Sequence, residues 1–209
     1  HSASIPAFLK KYPKATVVST AKGFQFMEQF FPEFFAGQGL PAEQRIVAAN
    51  DGVLELGQHS LHFVYAPMVH WPEVMMTYEA TEKILFAADG FGKFGALDVE
   101  EEWANEARRY YIGIVGKYGP QVQLLLGKAA AVLDKIKIIC PLHGPVWHTE
   151  LGYIIDKYQH WSTYTPEDSD GVMVVYASMY GNTESAAQAL AAKLVPLREP
   201  SSCPCAHRI

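Results

Sequence analysis

The sequence predicts an α/β fold, and three observations carry that reading. Short apolar runs rich in β-formers alternate with amphipathic segments of helical period. Three of those runs lead into a histidine or an aspartate. A last run, residues 172–177 (Val-Met-Val-Val-Tyr-Ala), breaks into Ser178-Met179-Tyr180-Gly181-Asn182-Thr183 and then a helical segment, 184–194. Strand, polar loop and helix in that order offer backbone N–H groups and hydroxyls at a helix N-terminus, which suits a phosphate.

In chain order, residues 4–11 read as a short helix, with Ile5, Phe8 and Leu9 on one side and Pro13 beyond its end. A strand is expected at 15–19 and an amphipathic helix rich in Phe and Met at 20–31. Short strands follow at 45–49, 53–56 and 60–65, with Asn50-Asp51-Gly52 as the turn between the first two. Residues 83–88 form a further buried strand, 99–118 and 120–133 two helices, 136–140 a strand and 151–161 a helix. Residues 162–171 are polar and acidic with one proline, the composition of a linker. The reading therefore gives a first domain at 1–161, a linker at 162–171, the first βα unit of a second domain at 172–195 and a disordered or aberrant tail at 196–209.

Bulk composition narrows the function classes. Hydrophobic residues make up 49% and aromatics 12%, enough for a sizeable core. A net charge of −5 gives no basic surface for nucleic acid. No apolar run approaches a membrane span of about 20 residues. Three cysteines give no disulfide framework, and with no signal-like start the expected location is the cytoplasm.

The strand ends hold the candidate chemistry. Residues 61–68 run into His70, residues 84–88 end at Asp89, and residues 136–140 lead through Pro141 and Leu142 to His143. Carboxyl ends of neighbouring strands converge on one rim in an α/β sandwich, where sites usually lie. Two imidazoles and a carboxylate there suit a transition metal, since a carboxylate can bridge two ions. Taken singly, each is as well explained as a hydrogen-bonded structural histidine or a turn aspartate. His59, His62, His148, His160 and His207 are read as surface or structural residues.

The stretches His70-Trp71-Pro72-Glu73-Val74-Met75-Met76-Thr77-Tyr78, Leu85-Phe86-Ala87-Ala88-Asp89-Gly90-Phe91-Gly92 and Leu142-His143-Gly144-Pro145-Val146-Trp147 resemble the flavodiiron proteins. That family joins a metallo-β-lactamase-fold diiron domain to a flavodoxin-like FMN domain. The resemblance runs from His1 to about Leu194 and implies a partial four-layer αββα sandwich followed by the first βα unit of a flavodoxin-like domain. It implies that His70 binds one iron and His143 the other, with Asp89 bridging them. His1 matches the last histidine of an upstream H-x-E-x-D-H motif, whose earlier ligands the sequence does not contain, so a fragment with weak metal binding is expected. Tyr110 matches a tyrosine that would donate a hydrogen bond to a bound oxygen species, or it packs with Tyr111 on an amphipathic helix. Ser178, Met179, Tyr180, Gly181, Asn182 and Thr183 would surround the FMN phosphate. The activity implied is reduction of O2 to water or of NO to N2O, with electrons from a donor such as rubredoxin or a flavin reductase, in a head-to-tail homodimer. A metallo-β-lactamase-fold hydrolase using a metal-bound hydroxide and a catalytically inert module are the other readings.

Overall fold

The computed structural model describes residues 3–37, 40–99, 101–169 and 171–194. His1 and the tail 196–209 lie outside the described residues. The chain divides into two compact units, one up to Pro166 and one from Glu167.

In the first unit, α1 (Ile5–Lys11) starts at the proline-containing first turn that its fixed φ favours. It leads to β1 (Val17–Ser19) and α2 (Ala21–Phe30), whose Thr20 side chain accepts a hydrogen bond from Gly23 N at 2.9 Å. β2 (Arg45–Val47) pairs in parallel with β1 to make a two-stranded sheet. A small core of Leu9, Phe24, Phe35 and Leu40 lies in this region.

A five-stranded sheet follows in the order β3 (Val53–Leu56), β4 (His59–Tyr65), β5 (Met75–Glu79), β6 (Ile84–Phe86) and β7 (Ile138–Cys140). Neighbours from β3 to β6 are antiparallel, and β6 and β7 are parallel. One core joins this sheet to α3 (Trp103–Tyr110), α4 (Gly119–Leu133) and α5 (Leu151–Ser162), with Tyr111, Val122, Ile139 and Ile154 fully buried.

The departures from the sequence reading have physical causes. The Asn50–Gly52 turn forms with Asp51 at φ +59°, yet it joins two sheets rather than closing a hairpin between β2 and β3. β5 occupies 75–79, where the reading placed no strand, because two methionines next to the Trp71-Pro72 turn give little β signal. The helix expected over 99–118 is shorter. α3 begins at Trp103 and passes at Tyr111 into one π turn and then a 3₁₀ turn, near Gly113 and Gly116, which weaken a helix interior. That change of winding lets the consecutive Tyr110 and Tyr111 both be buried.

In the second unit, α6 (Asn182–Leu194) forms as expected. Residues 172–177 pair with no other strand among the described residues, and Val172, Met173 and Val175 are exposed. A strand of this composition is stable only when neighbours take its backbone hydrogen bonds and cover both faces.

Candidate metal centre

Strand direction assembles the site. β4 and β6 both run antiparallel to β5, so they point the same way, and β7 is parallel to β6. The carboxyl ends of β4, β6 and β7 therefore share one rim. Phe86 is in register with Cys140, and Asp89 and His143 each follow three residues after these strand ends. His70 arrives from the longer turn after β4.

The rim brings His70, Asp89 and His143 together. His70 Nε2 lies 2.9 Å from Asp89 Oδ2, and His143 Nε2 lies 3.5 Å from Asp89 Oδ1. The Asp89 side chain is 8% exposed, against 22% for His70 and 41% for His143. The buried carboxylate thus presents one oxygen to each imidazole. Two donors held about 2.1 Å from one ion, at right-angled to tetrahedral geometry, stand roughly 3.0–3.4 Å apart. The observed separations bracket that range, so the trio fits two cation positions sharing Asp89. No group of three or more His, Cys, Asp or Glu side chains among the described residues is arranged to hold a single ion. Each position therefore has two described protein donors, fewer than the four typical of a closed transition-metal site.

The loops that deliver these groups are tightly held. Leu142 N donates to Ala88 O at 2.7 Å, Trp147 Nε1 to Phe91 O at 3.2 Å, and Phe91 N to the Tyr158 hydroxyl at 2.8 Å. Met68, Ala88 and Phe91 have φ of +67°, +50° and +65°, a left-handed backbone that costs a side-chain-bearing residue about 1–2 kcal/mol each.

Tyr110 sits beside this trio. Its ring is 6.1 Å from that of His143 and 5.0 Å, edge to face, from Phe94. The hydroxyl is buried, with no hydrogen-bond partner among the described residues. Burial first, and the charge of Asp89 second, push its pKa far above that of an ordinary phenol. Tyr110 therefore keeps its proton and, among the described residues, is a donor lacking an acceptor. An unpaired buried hydroxyl costs about 1–3 kcal/mol, so Tyr110→Phe is expected to stabilise the metal-free chain by about 1 kcal/mol in urea unfolding. Trp71 is half exposed with its ring 6.3 Å from His70.

Three of the other histidines have local partners: His59 contacts Glu79 at 3.1 Å, His62 contacts Ser60 at 3.2 Å, and His160 contacts the Asp156 carbonyl at 3.0 Å. The sequence reading did not find Lys93, which is buried and paired with Glu101 next to the His143 turn. The alternating Gly90-Phe91-Gly92-Lys93-Phe94-Gly95 was the available signal, since glycines so spaced mark a close backbone approach.

In the second unit, Ser178 Oγ accepts from Gly181 N at 3.0 Å, Gly181 has φ +82°, and α6 begins at Asn182. Ser178, Met179, Tyr180, Asn182 and Thr183 are exposed and Gly181 is half-buried. The first turn of a helix has N–H groups with no intrahelical acceptor, so this loop presents the donors that an anion needs. Among the described residues, no helix is long and apolar enough to cross a membrane.

The chain resembles known proteins over most of its length. Residues 2–144 match the family described as ODP family beta lactamase. Diflavin flavoprotein A 1 of Synechocystis sp. is 32% identical over 197 residues, which cover 91% of this chain and 33% of that protein. The nitric oxide reductase of Moorella thermoacetica is 29% identical over 202 residues, covering 93% and 48%. The crystal structure of the flavodiiron protein from Giardia intestinalis superposes with a TM-score of 0.76 at 29% identity, covering 91% of this chain and 46% of that one. The chain thus spans between a third and a half of the length of these relatives. It belongs to the family described as ODP family beta lactamases.

Proposed function

We propose that the chain supplies the metal-binding part, and the start of the flavin-binding part, of an oxidoreductase that reduces O2 to water or NO to N2O. The observation that carries this is the sharing of Asp89: one carboxylate oxygen faces His70 and the other faces His143. A shared carboxylate between two imidazoles calls for two metal ions side by side, and iron suits an imidazole and carboxylate donor set. A pair of irons bound there would be able to supply electrons to two neighbouring oxygen or nitrogen atoms at once. The relative from Moorella thermoacetica, a nitric oxide reductase, supports the choice of a gaseous substrate.

In this reading His70 and His143 would each hold one ion, the Asp89 carboxylate would be shared between them, and Trp71 would wall the site. His1 is proposed as a further donor. Tyr110, with its proton retained and no acceptor of its own, donates a hydrogen bond to the oxygen atom of the substrate. The Ser178–Thr183 loop holds the phosphate of FMN, through which electrons enter from a protein donor such as rubredoxin or from a flavin reductase. A head-to-tail homodimer in the cytoplasm completes the proposal.

The test is gas turnover after anaerobic loading with Fe(II) and addition of reduced FMN. The expected result is NO consumption with N2O formation above the rate given by free Fe(II) and reduced FMN alone, lost in His143→Ala. Hydrolysis of a β-lactam or thioester by the zinc-loaded chain, with no gas turnover, would assign it instead to the hydrolases.

A further inference from the structure

The segment from Asp89 to Glu101 does more than carry the bridging carboxylate. Gly92 has no room for a side chain: a Cβ there would lie 2.7 Å from the His143 carbonyl oxygen. Gly144, at φ +84°, faces Lys93, and a Cβ there would meet Lys93 Cγ at 3.0 Å and Lys93 N at 3.2 Å. The aliphatic stem of Lys93 therefore lies directly on the turn that follows His143. The Lys93 side chain is 7% exposed, and its ammonium forms an ion pair with Glu101 Oε1. Glu101 stands just before α3, the helix that ends at Tyr110. Phe94, the residue after Lys93, packs edge to face on Tyr110.

A buried ammonium is expensive unless a partner offsets its lost hydration, so this pair holds its geometry strictly. We infer that the Lys93–Glu101 ion pair is a positioning clasp that presses the 91–95 loop onto the His143–Gly144 turn and so sets His143 against Asp89 and Tyr110. One contact thereby ties together residues from three separate chain segments. The clasp has a purpose only within the metal-centre reading, but its geometry can be read without metal.

The experiment is nuclear magnetic resonance of the metal-free chain with labelled histidine and tyrosine. In the unmodified chain the His143 and Tyr110 rings give a cross-ring Overhauser signal. Lys93→Met is expected to lose that signal while leaving the His70 ring resonances unmoved, and Lys93→Arg is expected to restore it. Where Lys93→Met does not fold, the double replacement Lys93→Met with Glu101→Leu removes both charges and keeps the volume, and the same loss is expected. An undiminished His143–Tyr110 signal in either folded variant overturns the clasp. Failure of both to fold assigns the pair to the core and overturns it equally. Failure of the metal-centre reading is a separate result, seen as no response of the unmodified chain to Co(II).

Discussion

Asp89→Ala is expected to weaken divalent metal binding at the His70 and His143 positions together, by at least about tenfold, because even residues that merely support ligands are worth 10–100-fold in affinity. The reason is the split of one carboxylate between two imidazoles at 2.9 and 3.5 Å. His70→Ala and His143→Ala remove one donor each and should impair one position apiece. Asp89→Asn keeps the shape but halves the oxygen donors and removes the charge, so it should fall close to alanine. The fold is expected to survive all four substitutions. Calorimetric titration with Co(II), together with thermal unfolding, separates loss of ligand from loss of fold.

Gly92→Val is expected to disturb both the site and the fold. The first carbon of the new side chain would lie 2.7 Å from the His143 carbonyl oxygen and 3.2 Å from that of Asp89. Both neighbours are backbone, so neither can swing aside as a flexible side chain would. The turn bearing His143 must move away from the loop bearing Asp89. Overpacking of this kind costs typically 1–3 kcal/mol, and here that strain falls between two proposed ligands. The expected outcome is a lower urea midpoint of unfolding and loss of metal uptake at the His143 position. Gly127→Val serves as the control, because nothing lies within 4 Å of a Cβ there. It should leave metal uptake unchanged.

The sequence disclosed most where local chemistry and tertiary structure agree. His70, Asp89 and His143 could be read because each follows an apolar run that becomes β4, β6 or β7, and strand direction then brings those ends to one rim. The helix 151–161 and the start of α6 could be read for the same reason, since period and loop chemistry coincide. What could not be read depends on partners distant in sequence. The parallel pairing of β2 with β1 overrides a turn signal that favours a hairpin. β5 is held between β4 and β6 rather than by its own propensity. The π turn at Tyr111 lies beside Gly113 and Gly116, which weaken the helix, but the packing of Tyr111 on Tyr158 and Trp161 depends on partners distant in sequence. Lys93 reads as a surface cation until its partner, Glu101, and the glycine facing it are seen together. The run 172–177 shows the converse case, in which strong β propensity yields no strand because no neighbour among the described residues receives it.

The shared carboxylate is tested most directly by following the His70 and His143 ring protons by nuclear magnetic resonance while Co(II) is added to the unmodified chain and to Asp89→Ala. Two ions held on one carboxylate should shift and broaden both sets of ring signals in step, over the same range of Co(II), and this response should vanish in Asp89→Ala. Response of one imidazole without the other, or an unchanged response in Asp89→Ala, would contradict a metal centre bridged by Asp89.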